Sequence, residues 1–507
     1  MPICVNTLEM GFDMLLGIDL GSSGCKGVLF DEKGTVLCKH RVDYTPQAIG
    51  ADGCEMDPEV FYNAFRDVVS SVASKHRIRA IGLSSHGETI IPVKSTGLAA
   101  GPALMNTDNR SAPQSVQLTM LLGRERIYRI TGQPAHPMYS LPKIMWLREN
   151  RRDIFSDTAK FCGVSEYIQV RLGMIPMTEF TIASRFLAFD IHRRTWSDEI
   201  LSAAGLDSNM LYETGQAGQV GGVIPHSAAI ELGLEDDVCL TLAGHDQPCG
   251  AFGAGLTSEG AVLSAGSYEC LAVVDRAPAN ADIALDYSFN TYCHVCPETY
   301  VTLAFFPSGM CVSFFVRLLT GREQNDEFYD EVMSCISTGS AGSAVPTGLL
   351  ATPHVIGACN PDWNPYAKGT IYGFHPGVSR TELMKAIYEG VACELRLNIE
   401  ALERVCSWSD AIRVHGGGVS HDASLQLRAD ITGRSFRRLE GSEAGCHGAA
   451  LLAGVHQGVY SSYEQAADTV KYRDELCVPD LPTAERYKSQ IEKYNAFRSF
   501  SSGFDKE

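Results

Sequence analysis

Two stretches lying far apart in the chain share one plan. GIDLGSSGCKGVLFD, from Gly17 to Asp31, and AVLSAGSYECLAVVD, from Ala261 to Asp275, each place a turn of small residues between two apolar runs. Each run reads as a buried strand, and the glycines and serines between them supply positive φ and caps for free backbone N–H groups. A phosphate-binding Walker loop or dinucleotide fingerprint leads from a strand into a helix; these turns lead from strand to strand. By itself either one reads as an ordinary β-hairpin. A Gly-rich turn with hydroxyls and a cation, Gly21, Ser22, Ser23 and Lys26, also suits phosphate oxygens. Two such turns, one in each half of the chain and facing each other across a cleft, would hold a polyphosphate from both sides.

The elements around the two turns repeat as well. After the first hairpin, Asp57 reads as the cap of a helix with Pro58 at its first position and Glu59 in its first turn. Apolar residues from Val60 to Val72 recur at helical spacing. Strands are predicted from Ile78 to Leu83, ending in Ser84-Ser85-His86-Gly87-Glu88-Thr89, and from Asp237 to Ala243, ending in Gly244-His245-Asp246. The second half restarts at Ala261 and adds a strand over 300–306, a helix from Gly309 and a long amphipathic helix over 381–405. A strand over 411–415 then runs into Gly416-Gly417-Gly418 and a helix over 422–432. The period is far too long for a solenoid. It predicts two large, similarly built halves, joined in the small, polar and flexible stretch Gly253 to Gly260.

Composition narrows the function. The 507 residues suggest more than one domain, and 45% hydrophobic with 20% charged residues is that of a soluble globular chain. A net charge of -18 argues against binding the phosphate backbone of nucleic acid. The segment Met1–Asp13 has no basic region followed by an apolar core and reads as a short extension rather than a signal peptide. Val301–Val316 is broken by Pro307-Ser308-Gly309 and reads as strand, turn and helix rather than a membrane span. A cytoplasmic location is expected, with no membrane partner. The 17 cysteines then read as reduced thiols. Cys293-His294-Val295-Cys296 has zinc-like spacing but no second Cys-x-x-Cys, and its neighbours also fit a strand.

Two longer motifs identify the chain as resembling the FGGY family of carbohydrate kinases, within the actin, Hsp70 and sugar kinase superfamily. Met138-Tyr139-Ser140-Leu141-Pro142-Lys143-Ile144-Met145-Trp146-Leu147-Arg148-Glu149-Asn150 is similar to the family's first signature. Gly369-Thr370-Ile371-Tyr372-Gly373, through Glu382-Leu383, to Ala386-Ile387-Tyr388-Glu389 is similar to the second, with Phe374 in place of the usual smaller aliphatic residue. The resemblance implies an α/β fold of two actin-like (ribonuclease H-like) ATPase domains, each a central mixed sheet flanked by helices, with a cleft between them. The expected division is 14–255 for sugar binding and the first phosphate loop, and 256–490 for ATP. It implies ATP and Mg²⁺, a sugar substrate, and leaves the oligomeric state open, a homodimer included.

Carried over by position, Asp19 resembles the carboxylate that orients Mg²⁺, with Gly21, Ser22, Ser23 and Lys26 as the first phosphate loop. Gly266 and Ser267 resemble the second loop, Gly309 the segment beside the ATP phosphates, and Gly416, Gly417, Gly418 and Asp422 the adenosine motif. A Cβ on those glycines would collide with a nucleoside. Ala444 to Ala450 is a small-residue surface that suits either the other wall of the adenine slot or tight helix packing. Where relatives often carry Trp, this chain has Ser424. Asp246 resembles the general base, with Gln247 beside it; as a free carboxylate of pKa about 3.9 it would be ionised and weakly basic at neutral pH. Without the resemblance, Asp246 reads as a residue flanking the cap of a helix started by Pro248.

For the acceptor, His86, Glu88, Asp108 and Tyr139 are the candidates, because neutral polyhydroxyl ligands need many directional acceptors. Xylulokinases carry Met-His where Gly87-Glu88 stand, and glycerol kinases carry Arg-Glu. A glycine at 87 is expected to leave open space for an acceptor larger than glycerol. Asp108 and Arg110 match the Asp-x-Arg of ketose kinases, although Arg110 equally suits a structural ion pair. Tyr139 resembles a polyol-contacting position and equally suits a packed tyrosine. These features imply a kinase of a ketose, with a polyol kinase of the glycerol or erythritol type as the alternative. A nucleotide-driven binding protein like actin or Hsp70 is the rival class.

Overall fold

A computed structural model describes residues 14–338, 345–408, 411–441 and 443–504; the N-terminal segment Met1–Asp13 lies outside them. In the first half, β1 (Leu15–Leu20), β2 (Gly24–Phe30) and β3 (Val36–Asp43) form an antiparallel meander. Helix α1 (Pro58–Ala73) follows; Asp57 caps it by accepting from the Glu59 N–H, and it buries Phe61, Phe65, Val68 and Val72. Next come β4 (Ala80–Ser85), α2 (Ser140–Asn150), β5 (Gly221–Val223), β6 (Cys239–His245) and α3 (Asp246–Gly253). The sheet order is β5-β6-β4-β1-β2-β3, with β6, β4 and β1 mutually parallel.

The second half opens with the hairpin β7 (Gly260–Ala265) and β8 (Tyr268–Asp275), then β9 (Asn290–Cys293), β10 (Tyr300–Pro307) and α4 (Gly309–Thr320). Its further main elements are α5 (Arg380–Leu402), β11 (Ile412–His415), α6 (Asp422–Thr432), β12 (Phe436–Leu439), α7 (Ala444–His456), β13 (Tyr472–Cys477) and α8 (Leu481–Ser501). Its sheet runs β9-β10-β8-β7-β11-β12-β13. Strand for strand, β7, β8, β10, β11, β12 and β13 pair as β1, β2, β3, β4, β6 and β5 do, with the same parallel and antiparallel senses. The repeated order of elements is therefore a repeated fold.

One helix breaks the symmetry. Although α7 lies between β12 and β13 of the second half, it packs across β1, β4 and β6 of the first sheet and against α3. The approach is so close that a Cβ on Gly17 would sit 1.7 Å from the Cys446 carbonyl oxygen, and one on Gly82 would sit 1.8 Å from that of Ala449. The run Ala444 to Ala450 is small for this reason, and the alternative of an adenine wall gives way to tight helix packing. The expected flexible join is likewise half packed: a Cβ on Gly253 would lie 1.9 Å from the Ala444 oxygen, and Ala254 and Leu256 are buried. Backbone-to-backbone contact at α7 reads more directly as a rivet between the halves than as a loose hinge. Among the described residues, no helix is long and apolar enough to cross a membrane.

Candidate active site

Parallel strands that end together bring their terminal residues to one edge, and here that edge collects carboxylates. Asp19 sits near the end of β1, and Asp246 opens α3 where β6 stops. Both line a cavity of about 160 Å³ that also takes Lys26 and Gln247 from the first half and Ser264, Cys270 and His415 from the second. Asp19 Oδ1 and Asp246 Oδ1 are each buried without a hydrogen-bond partner. His245 Nε2 lies 3.3 Å from Asp246 Oδ1, outside hydrogen-bond geometry. Orphaned buried carboxylate oxygens call for a ligand, and hard oxygens beside a phosphate-sized space suit Mg²⁺, which takes one or two carboxylates together with substrate phosphates. Among the described residues no group of three or more protein ligands forms a metal cage, and Mg²⁺ does not need one.

The electrostatics of this cavity revise one expectation. Burial, followed by the nearby charges of Asp19 and Glu88, pushes the Asp246 carboxyl up to about 8, so it is not the ionised weak base that a free Asp would be. About a third of its side chain remains open, and what it faces is the narrow cavity. Burial likewise raises Asp19, against the opposing charge of Lys26. Lys26 itself is held across the halves: its Nζ lies 2.7 Å from Glu443 Oε2, and Lys39 Nζ takes Oε1 at 3.1 Å.

Beside the cavity is a second cluster centred on Glu88. Its backbone is in the left-handed region at φ 61°, unusual for a glutamate. The first signature explains how that is held. Lys143 Nζ, 0% exposed, donates to the Glu88 carbonyl at 3.1 Å and to Met138 O at 2.7 Å, and Ser140 Oγ donates to Glu88 O at 3.2 Å. Burial brings Lys143 down to about 7. The Glu88 side chain meets Arg185, whose Nε donates to Oε1 at 2.6 Å while Nη2 makes a still closer contact to the same oxygen. Burial raises the Glu88 carboxyl, but Arg185 outweighs it and holds the group below its usual value. Arg185 Nη1 continues to Gln133 Oε1 at 2.9 Å and Asn290 Oδ1 at 3.2 Å.

Several expectations change here. Gly87 leaves no open space: a Cβ there would lie 2.6 Å from Arg185 Cγ and 2.9 Å from His245 Cδ2. Tyr139 is 1% exposed, and its hydroxyl lies 2.6 Å from Asn290 Oδ1 and 2.8 Å from Gln133 Oε1, so it ties the halves together. His86 has both ring nitrogens engaged, Nδ1 donating to Leu20 O at 2.9 Å and Nε2 accepting from Thr89 Oγ1 at 2.7 Å. Asp108 is 0% exposed and clasped by Arg110, with Nη2 at 2.6 Å, while its Oδ2 accepts from Cys54 N. Arg110 also bonds Glu55 and stacks over Trp146. The structural ion pair is what the geometry shows, and a free sugar-facing carboxylate at Asp108 is not.

On the nucleotide side, the second turn and the start of α4 are joined by backbone. Gly309 N–H donates to Gly266 O at 3.1 Å, and the N–H groups of Ser308 and Met310 donate to Ser267 O. A Cβ on Gly309 would approach Gly266 O to 2.5 Å. Gly416, at φ 102°, is required by its own backbone and by Ala265 O, to which a Cβ would come within 2.4 Å, rather than by a nucleoside; of the three glycines only Gly417 has open space beside it. Asp422 starts α6, accepts from Arg438 Nη1 at 2.6 Å, and lines a separate cavity of about 1010 Å³. Gly21, Ser22, Ser23, Gly266, Ser267, Gly309 and Gly416–Gly418 do not line the 160 Å³ cavity. In the zinc-like stretch, Cys293 Sγ reaches Ile191 O and His294 Nδ1 lies beside Thr299 Oγ1.

Arg185, Glu443, Asn290 and Tyr292 were not legible as site residues. Arg185 carries no motif, and Tyr292 reads as a strand residue, yet its hydroxyl meets His245 Nδ1 at 2.9 Å. Glu443 had one signal, its place directly before the small-residue run.

Two like-ordered β-sheets with a carboxylate-lined cavity between them define a two-domain actin-like fold. The chain matches the FGGY family of carbohydrate kinases, in its N-terminal domain over residues 14–253 and in its C-terminal domain over residues 318–456, and it belongs to that family. Its activity is therefore that of a carbohydrate kinase, ATP-dependent phosphoryl transfer to a sugar hydroxyl. It is 25% identical to a xylulose kinase of Bacillus subtilis over 490 residues, 95% of each chain. It is 24% identical to a gluconokinase of the same species, over 90% of each. The solved structure of ligand-bound xylulose kinase from Lactobacillus acidophilus superposes with a TM-score of 0.87 at 23% identity, covering 97% of this chain and 98% of that one.

Proposed function

We propose that the chain transfers the γ-phosphoryl group of Mg²⁺-bound ATP to a hydroxyl of a ketose, with Asp246 as the general base and Asp19 orienting the metal. The observation that carries this is the convergence of two orphaned carboxylate oxygens, one from each of two parallel strand ends, on a single cavity bordered by both halves. Phosphoryl transfer asks mainly for positioning and charge stabilisation, so the base need act only as the phosphorus–oxygen bond forms. Glu88 supplies a hydrogen-bond acceptor for the sugar, and Lys143, Ser140 and His86 position the strand end that carries it. Asp108 and Tyr139 support that end from behind. ATP phosphates draw Lys26 away from Glu443, with the turns at 21–24 and 266–267 on either side. The xylulose kinases to which the chain is similar over nearly its whole length support a ketose. The Arg185–Glu88 pair favours a polyol as the second reading, because glycerol kinases carry an Arg-Glu sequence at 87–88.

The experiment is ADP release across a panel of pentuloses, hexuloses, polyols and aldonates. A ketose giving the highest kcat/KM supports the proposal. A polyol in that place moves the assignment to the second reading. ATP turnover indifferent to every acceptor would overturn it in favour of a nucleotide-driven binding protein.

A further inference from the structure

Beneath the nucleotide side lies a buried polar relay that neither the cavity nor the acceptor cluster uses. Glu269, 0% exposed on β8, and Arg428, 1% exposed on α6, form an ion pair through Arg428 Nη2 and Glu269 Oε1. The same Oε1 accepts from Ser308 Oγ at 2.7 Å, and the Ser308 N–H donates to Ser267 O at 3.2 Å. At the other end, Arg428 Nη1 donates to Ser424 Oγ at 2.6 Å, and Ser424 Oγ donates to Gly418 O at 2.9 Å. One unbroken chain of bonds thus runs from Gly418 to Ser267. One end falls on the second turn, which the proposed function sets beside the phosphates, and the other on the Gly416–Gly418 segment, which resembles the family's adenosine motif.

The pair is not there for stability. Burying two charges costs more than a well-packed apolar pair of similar volume unless every polar atom is satisfied, and here Glu269 Oε2 and Arg428 Nε have no partner. Ser424 is small and buried, and its hydroxyl is the partner that Arg428 Nη1 reaches at 2.6 Å. We propose that Glu269 and Arg428 are positioning residues for the nucleotide: they fix the second turn and the Gly416–Gly418 segment in one register, so that the backbone of these two segments meets the ligand while their supporting charges stay underneath. This rests on the ATP assignment above.

ADP titration by calorimetry, together with thermal melting of the full chain, tests it without any sugar. Arg428→Leu alone strands a buried carboxylate and is expected to melt well below the parent. Arg428→Leu/Glu269→Val removes both charges; it is expected to recover most of the melting temperature yet bind ADP about tenfold more weakly, because Ser308 has lost its anchor. Ser308→Ala, which removes one hydroxyl and no charge, is expected to weaken ADP binding about threefold with little change in melting. Parental ADP affinity in the double variant overturns the inference, as does parental affinity in Ser308→Ala should the double variant not fold. Failure of the parent chain to bind ADP would instead overturn the ATP assignment.

Discussion

The two halves share strand order and sense but distribute charge in opposite ways. In the first, strand ends at the cleft carry Asp19, Lys26, Glu88 and Asp246, side chains that face the cavity or its acceptor-side neighbour. In the second, the corresponding strand ends are Gly266, Ser267 and Gly416–Gly418, the charged groups Glu269 and Arg428 are turned underneath, and Glu443 reaches the cavity from the segment before α7, where it pairs with Lys26. A duplicated sheet has therefore been used in two modes. One half acts through side chains, which suits chemistry on an acceptor hydroxyl. The other acts through backbone held from below, which suits a nucleotide that must be gripped closely and released.

That contrast is broken most directly at Asp246. Asp246→Asn is expected to lower kcat for sugar phosphorylation by about 10²-fold or more, the scale for losing a general base, with ADP affinity unchanged. Turnover near the parent's, measured with the best acceptor, would remove side-chain catalysis from the first half.

Gly17→Ala tests the rivet that makes the halves one unit. A Cβ placed 1.7 Å from a carbonyl oxygen has no rotamer to escape into. Overpacking of this kind costs about 3 kcal/mol, so the melting temperature should fall by several degrees; an unchanged one would mean that α7 shifts freely on the first sheet.

The pH dependence sharpens the same comparison. With the Asp246 carboxyl pushed up to about 8 in the free chain, kcat/KM for the acceptor should rise about tenfold per pH unit up to about pH 8 and then level. The linked stability has the opposite sense. The folded chain keeps a proton that the unfolded Asp, whose ordinary value is 3.8, has released, so this group's contribution is full below about pH 4 and is lost as pH rises to about 8. Asp246→Asn should flatten both slopes, and a parent profile flat from pH 6 to 8 would contradict the assignment.

Glu443→Gln is the smallest change. Losing its partly exposed ion pairs with Lys26 and Lys39 frees Lys26 for phosphate, and pairs of this kind are worth about 0.2–1 kcal/mol. The KM for ATP should drop about twofold to fivefold. A rise instead would show that Glu443 aids nucleotide binding rather than competing for Lys26.

Much of this was legible in the chain itself. Asp57-Pro58-Glu59 starts α1 where local capping chemistry requires it, and the hairpins at β1–β2 and β7–β8 follow from apolar runs around small-residue turns, because both depend only on neighbours in sequence. The doubling of those signals carried the two-sheet architecture, and the signatures carried the family. What the sequence could not decide was where long side chains end up. Gly87 reads as open space until Arg185, from a distant helix end, is seen to fill it. Asp108 reads as a free carboxylate until Arg110 folds back on it, and Asp246 reads as an ordinary acid until burial and two neighbouring carboxylates raise it. The small residues from Ala444 to Ala450 fit a ligand slot or a helix contact equally well, and only the approach of α7 to the first sheet selects the contact. Local geometry and periodicity are properties of adjacent residues; burial, charge pairing and the contents of a cavity are set by groups brought together from opposite ends of the chain, and only the tertiary fold assembles those.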